Sequence, residues 1–106
     1  MFCRIVSGEL PATVVHRAPG FLAIEDASPK APVHVLVLPE RHIATFREIG
    51  VLPADEAGRM LDFVAETATV AGLDDYRVIV NVGPRAGQTV FHLHWHILGG
   101  KALPFP

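Results

Sequence analysis

Apolar residues recur along this chain with two different periods, and the change of period divides it into short elements. Phe2 to Ser7 has the spacing of a single helical turn, closed by Gly8. Thr13 to Arg17 is rich in β-branched residues and runs into Ala18-Pro19-Gly20, a turn signal. Phe21 to Asp26 reads as a second strand, and the short connection predicts an antiparallel hairpin. Val33 to Leu38 is a third strand that Pro39 closes. Pro53 to Ala71 carries the helical period: Ala57, Met60, Leu61, Val64, Ala68 and Ala71 define one apolar stripe. Pro53 suits its first position, Asp55 and Glu56 suit the positive end of the dipole, and Gly72 supplies the stop. Tyr76 to Val82 and Val90 to Leu98 complete five strands around a glycine-containing loop, Gly83 to Thr89. Five strands, one main helix, a short N-terminal helix and local connections predict an α+β domain with an antiparallel sheet.

Length and composition narrow this picture. One hundred and six residues, half of them apolar and 19% charged, make a single domain, 1–106, and exclude a charge-extended disordered chain. The richest apolar run, Val33 to Pro39, is interrupted by His34 and is too short for a membrane span. No basic segment followed by an apolar stretch opens the chain, so no secretory signal is expected. A lone cysteine fits a reducing, cytoplasmic setting. A net charge of −2 offers no basic stripe for a nucleic-acid backbone. Any phosphate must therefore be handled locally, by histidines and backbone N–H groups.

Six histidines are present, and three of them fall within Phe91-His92-Leu93-His94-Trp95-His96-Ile97-Leu98. Strict alternation in a strand puts His92, His94 and His96 on one face and Phe91, Leu93, Trp95 and Ile97 on the other. A solvated strand face, a metal site, a pH-sensing cluster and a nucleophilic centre all remain open for that row. One metal held by all three is awkward, because positions i and i+4 of a strand lie ~13 Å apart. Nucleophilic catalysis suits the central ring: neutral imidazole attacks near neutral pH and departs readily once phosphorylated. Gly83-Pro84-Arg85-Ala86-Gly87-Gln88-Thr89, just upstream, offers a phosphate cradle of glycine, amide and hydroxyl, in which Gly87 lets the backbone approach an anion.

His92-Leu93-His94-Trp95-His96-Ile97-Leu98-Gly99-Gly100 resembles the signature of the histidine triad (HIT) superfamily of nucleotide hydrolases and transferases. The resemblance extends over Phe2 to Pro11, Asp26 to His34, Pro39 to Ile43 and Asn81 to Gly83, and its Leu-Gly-Gly ending is similar to the nucleoside phosphoramidase branch. It implies hydrolysis of purine nucleoside 5′-phosphoramidates through a nucleotidyl-histidine, with dinucleoside polyphosphate cleavage, nucleotidyl transfer or nucleotide-binding regulation as alternatives. It also implies a homodimer whose two sheets join into one of ten strands. His94 matches the family nucleophile, His96 and His34 match residues bonding the α-phosphate, and His92 matches the supporting histidine. Asn81, Gln88 and Thr89 match the polar set around phosphate and leaving group, and the backbone from Gln88 to Val90 adds N–H donors. Thr89 stands where that branch has serine and keeps the hydroxyl that protonates the departing nitrogen. Asp26 matches the ribose-binding acid, and Phe2, Ile5, Ile24 and Leu36 fall where the purine pocket lies.

Many bacterial relatives begin Cys-x-x-Cys and complete a zinc site with histidines matching His42 and His92. Cys3 alone remains here, and three ligands do not close a four-ligand site, so neither zinc nor another cofactor is expected. Phe105 is a candidate aromatic wall at the partner's site. By residue type alone several positions have plainer readings. Asp26 caps a turn, Asn81 holds loop backbone, and His34 is a satisfied core histidine. His42 bonds locally, His16 is a surface residue, Cys3 is a small buried hydrophobe, and Trp95, Phe2 and Ile5 are core.

Overall fold

A computed structural model describes residues 2–104, and Phe105 lies outside them. The chain forms α1 (Phe2–Ser7), β1 (Val14–Ala18), β2 (Phe21–Glu25), β3 (Val33–Pro39), α2 (Ala54–Val70), β4 (Tyr76–Ile79) and β5 (Trp95–Gly99). Two short 3-10 turns, Phe46–Val51 and Pro84–Ala86, were not marked by any apolar period. The first is nevertheless encoded in Thr45-Phe46-Arg47-Glu48, a capping box in which the Thr45 hydroxyl accepts from the Arg47 N–H at 3.0 Å while Glu48 returns to the Thr45 N–H at 3.2 Å. The strands form one antiparallel sheet in the order β1-β2-β3-β5-β4.

Alternation along the strands sorts the side chains onto two faces. Phe21, Ala23, Val35, Val37, Trp95 and Ile97 meet Met60, Phe63, Val64 and Ala68 of α2 in the larger core. Leu22, Ile24, Leu36 and Leu38 face the other way and are covered by Phe2 of α1. The helix stripe is rotated from the sequence expectation: Leu61 is 54% exposed, while Phe63 and Thr67 are buried. Pro53 occupies the N-cap, one residue before the helix begins.

β5 begins five residues later than the apolar pattern predicts, and the cause is Pro39. β3 and β5 pair from Val33↔Gly99 to Val37↔Trp95, and the ladder cannot continue beyond Leu38 because Pro39 has no N–H to give. The Leu93 N–H turns instead to the Ile43 carbonyl. Alternation therefore holds from Leu93 onward and fails before it: Phe91 is 46% exposed and His92 is buried, the reverse of the expected faces. β5 ends at Gly99, where a Cβ would stand 2.8 Å from the Leu73 side chain and 3.1 Å from the Asp75 carbonyl, so any larger residue there would have to displace both.

Candidate active site

An open pocket of about 720 Å³ lies on the α1 side of the sheet. Phe2, Ile5, Ile24 and Leu36 line its apolar part, with Asp26, Thr89, Val90, His94 and His96 around them. Nine of the residues singled out from the sequence thus share one wall. Leu10 to Thr13 also line it, and nothing in their residue types had marked them.

Backbone partners settle where the histidine protons reside. The His94 Nδ1 lies 2.7 Å from the His92 carbonyl oxygen, which can only accept, so Nδ1 carries the proton and the Nε2 lone pair is free for the pocket. The Lys30 N–H donates to His34 Nδ1 at 3.0 Å, which leaves the His34 proton on Nε2. That proton is donated to His96 Nδ1 at 2.9 Å, so His96 in turn presents Nε2–H. A free nucleophilic nitrogen and an oriented donor stand side by side, with the two rings 5.0 Å apart and Phe2 edge-on to His94 at 5.0 Å.

The environment keeps His34 and His96 neutral. Burial, reinforced by the neighbouring His94 and His34 and only partly opposed by Asp26, pushes His96 down to about 4. Burial also lowers His34, although Asp26 opposes it. The 3.3 Å separation of Asp26 Oδ2 from His34 Nε2 is therefore a contact with a neutral ring whose one proton is given to His96, and not an ion pair. Asp26, His34 and His96 cluster closely enough for a metal, yet the His34 proton already joins the two rings.

Several assignments change. Both His34 nitrogens are engaged, so this residue positions His96 and cannot bond a phosphate. His92 points away from the pocket: its Nε2–H donates to the Pro39 carbonyl at 2.8 Å, and burial lowers its pKa. The Asn81 amide holds the Ala86 carbonyl at 2.9 Å, the plainer reading of that residue. Buried Gln88 is a strap: its carbonyl oxygen accepts from the Gly83 N–H, and its amide donates to the carbonyls of Ala44 and Val90. The N–H groups of Ala86, Gly87 and Gln88 are consumed inside the loop, so Gly87 (φ +97°) makes a turn and not an anion cradle. Of this segment, only Thr89 and Val90 reach the pocket.

His16 is half-buried and stacked on Phe63 at 4.9 Å, not a free surface residue. Cys3 is exposed rather than buried, and His42 bonds far from its own loop. Cys3 Sγ lies 3.4 Å from His42 Nδ1 and 3.5 Å from His92 Nδ1, and the two nitrogens are 3.3 Å apart. Spacing could not reveal this group, because its members come from α1, the loop after β3 and the approach to β5.

A five-stranded antiparallel sheet with one flanking helix thus sets a histidine with a free ring nitrogen and a histidine presenting a ring N–H beside an apolar pocket. Residues 7–103 match the HIT domain model. The chain belongs to the HIT family, and with it to a superfamily of nucleotide hydrolases and transferases. It is 41% identical to a HIT-like protein of Synechococcus elongatus, over 100% of this chain and 94% of that protein. It is 35% identical to the purine nucleoside phosphoramidase of Escherichia coli, over 97% of this chain and 88% of the relative. Its fold superposes on a HIT family hydrolase from Legionella pneumophila with a TM-score of 0.89 at 38% identity, covering 100% and 96% of the two chains. A histidine triad protein from Clostridium difficile gives 0.89 at 39% identity, covering 99% and 93%.

Proposed function

We propose that this protein hydrolyses purine nucleoside 5′-phosphoramidates to the nucleoside monophosphate and an amine. The observation that carries the reading is the pairing of a free His94 Nε2 with the Nε2–H of His96 at one pocket wall. His94 Nε2 attacks the α-phosphorus in line with the P–N bond, and a P–Nε2 bond forms as the amine leaves. The departing nitrogen takes a proton through the Thr89 hydroxyl, which solvent replenishes. His96 donates to a phosphoryl oxygen as charge gathers there. The adduct is a cationic imidazolium, and the His92 carbonyl on its Nδ1–H stabilises it. Water then attacks phosphorus, releases the nucleotide and restores neutral His94. Phe2, Ile5, Ile24 and Leu36 provide an apolar surface for the base, and Asp26 at the rim provides an acceptor for the ribose.

The identity to a purine nucleoside phosphoramidase supports this substrate class. We further propose a cytoplasmic homodimer. β4 is a sheet edge whose outward side chains Tyr76 and Val78 are 41% exposed, and pairing two such edges antiparallel makes a ten-stranded sheet. Sedimentation equilibrium of the whole chain tests the dimer. The chemistry is tested by acid-quenched mass spectrometry after mixing with adenosine 5′-phosphoramidate. An adenylyl adduct on His94 and AMP release are expected in the wild type, with both lost in His94→Ala. Tight AMP binding without turnover would indicate a regulatory role instead, and cleavage of a dinucleoside polyphosphate but not of the P–N bond would indicate another superfamily reaction.

A further inference from the structure

One proton in the pocket wall stands between two acceptors. The His34 Nε2–H points to His96 Nδ1 at 2.9 Å, and Asp26 Oδ2 lies 3.3 Å from the same nitrogen. We propose that a ribose hydroxyl donating to Asp26 Oδ2 withdraws this competitor, so that sugar recognition completes the His96 donor at the phosphoryl end of the substrate. Asp26 then governs kcat and not binding alone, a role that rests on the hydrolysis proposed above and on the sugar contact given there to this carboxylate.

The two carboxylate oxygens are differently engaged. Oδ1 accepts from the Ser28 N–H at 2.7 Å, a bond that closes the turn after β2. The Asp26 N–H donates to the His34 carbonyl at 2.9 Å, which fixes the two residues side by side at the end of the β2–β3 ladder. Oδ2 is the oxygen turned to the His34 ring, and Asp26 borders the pocket together with Ile24 and His96. The Asp26 side chain keeps 19% exposure against 4% for that of His34, so a ligand hydroxyl reaches the carboxylate and not the ring proton behind it.

What is contested is a hydrogen bond, and His34 keeps its proton throughout. The Lys30 N–H on Nδ1 holds that proton on Nε2 in either case. His96 Nδ1 is the nearer acceptor but a neutral one, whereas Asp26 is an anion, and ionised acceptors bond about twice as strongly. When the His34 N–H leans to Asp26, His96 Nδ1 loses its donor, and the His96 proton exchanges through solvent between its two nitrogens. With that proton on Nδ1, Nε2 presents a lone pair to the phosphoryl oxygen in place of an N–H, and charge gathering in the transition state meets no donor. The same carboxylate opposes the neutrality of both rings. A hydroxyl donating to Oδ2 disperses its charge, returns the His34 N–H to His96 and restores the donor. Binding energy from the sugar is thereby realised at the reacting centre, so a substrate without ribose hydroxyls loses kcat as well as affinity.

The test compares adenosine 5′-phosphoramidate with its 2′,3′-dideoxy analogue, each at saturation with the full chain. In the wild type, kcat on the dideoxy compound should be about tenfold lower, the size of one hydrogen bond. Asp26→Asn, which keeps an oxygen for the Ser28 N–H, and Asp26→Ala each remove the anionic competitor. In both variants kcat on the dideoxy compound should rise above the wild-type value and match that on the ribose compound, while KM for the ribose compound increases. A second readout needs no turnover: long-range ¹H–¹⁵N spectra of histidine-labelled protein report which nitrogen of His96 carries the proton. AMP should fix Nδ1 as the bare nitrogen and Nε2 as the protonated one, whereas 2′,3′-dideoxy-AMP should leave the two shifts drawn together by exchange, as in the free protein. Equal wild-type kcat on the two substrates, a penalty undiminished in both variants, or a His96 response indifferent to the hydroxyls would each overturn the coupling. No P–N cleavage at all, with the AMP-specific response of His96 intact, would overturn the hydrolysis and not the coupling.

Discussion

Replacing His96 with asparagine removes a ring that the fold holds neutral, and the consequence is measurable as a change in how stability depends on pH. Burial lowers this histidine from 6.5 to about 4. The unfolded chain therefore binds a proton at His96 between those two values while the folded chain does not. Stability from this group is complete above pH 6.5, declines as pH falls through the window, and is fully lost below about 4. At 1.36 kcal/mol per unit, the total is about 3 kcal/mol, with a slope of about 1.4 kcal/mol per pH unit in mid-window. His34 and His92 are lowered for the same reason and act in the same direction, so the wild type alone does not isolate His96. The difference between wild type and His96→Asn does, because both retain the other two rings. Urea unfolding at pH 7, 5.5 and 4.5 should show wild-type stability falling more steeply than the variant's, by about 2–3 kcal/mol over that range. An NMR titration of the His96 ring supplies the direct midpoint. Parallel stability curves, or a ring titrating near 6.5, would refute the argument that burial and the His34 bond hold this donor neutral.

The remaining expectations touch other parts of the molecule. His34→Leu leaves His96 without the bond that fixes its tautomer, so kcat for phosphoramidate cleavage should fall about 10²-fold with KM little changed. His34→Gln can accept from the Lys30 N–H and still donate to His96, and should recover part of the loss in the same steady-state assay. Thr89→Val should slow release of strongly basic amines more than of weakly basic ones, seen as a steeper dependence of rate on amine basicity, whereas Thr89→Ser should not. Phe63, 1% exposed between the sheet and α2, should cost about 3–5 kcal/mol when cut to alanine, read by chemical denaturation, and a loss below about 1 kcal/mol would show that the site collapses around the gap.

What could be read in advance was what depends on local periodicity. Alternation from Leu93 to Ile97 gave β5 its two faces, whereas Phe2, Ile5, Ile24 and Leu36 were placed together by the family resemblance and not by periodicity. The phase of α2 was ambiguous for a geometric reason. At about 100° per residue, Leu61 and Phe63 flank the Met60–Val64–Ala68 line on opposite sides, and only the sheet's shape decides that Phe63 enters while Leu61 stays out. Residues whose role depends on a distant backbone atom were not legible at all. Gln88 has the composition of a phosphate ligand but is spent on the Ala44 and Val90 carbonyls, and His34 is taken up by Lys30 and His96. Neither fate is visible without the fold.

The split within the histidine row follows from one missing proton. Because Pro39 cannot extend the ladder, the chain before Trp95 leaves the sheet, and the Pro39 carbonyl is free to accept from His92. The ring that alternation would have aimed at the pocket is buried behind it, and its own carbonyl becomes the acceptor for His94. A continuous strand would have put three equivalent rings on one face, each free to choose its tautomer. The interrupted one gives each ring a distinct backbone partner: a carbonyl for His92 Nε2, a carbonyl for His94 Nδ1, and, through His34, the Lys30 N–H for His96. Nucleophile, donor and support are thereby distinguished by protons that the backbone places. Such a site keeps its order only while the rings stay neutral, so the acid window that unsettles the fold is also the one in which the catalytic arrangement should be lost.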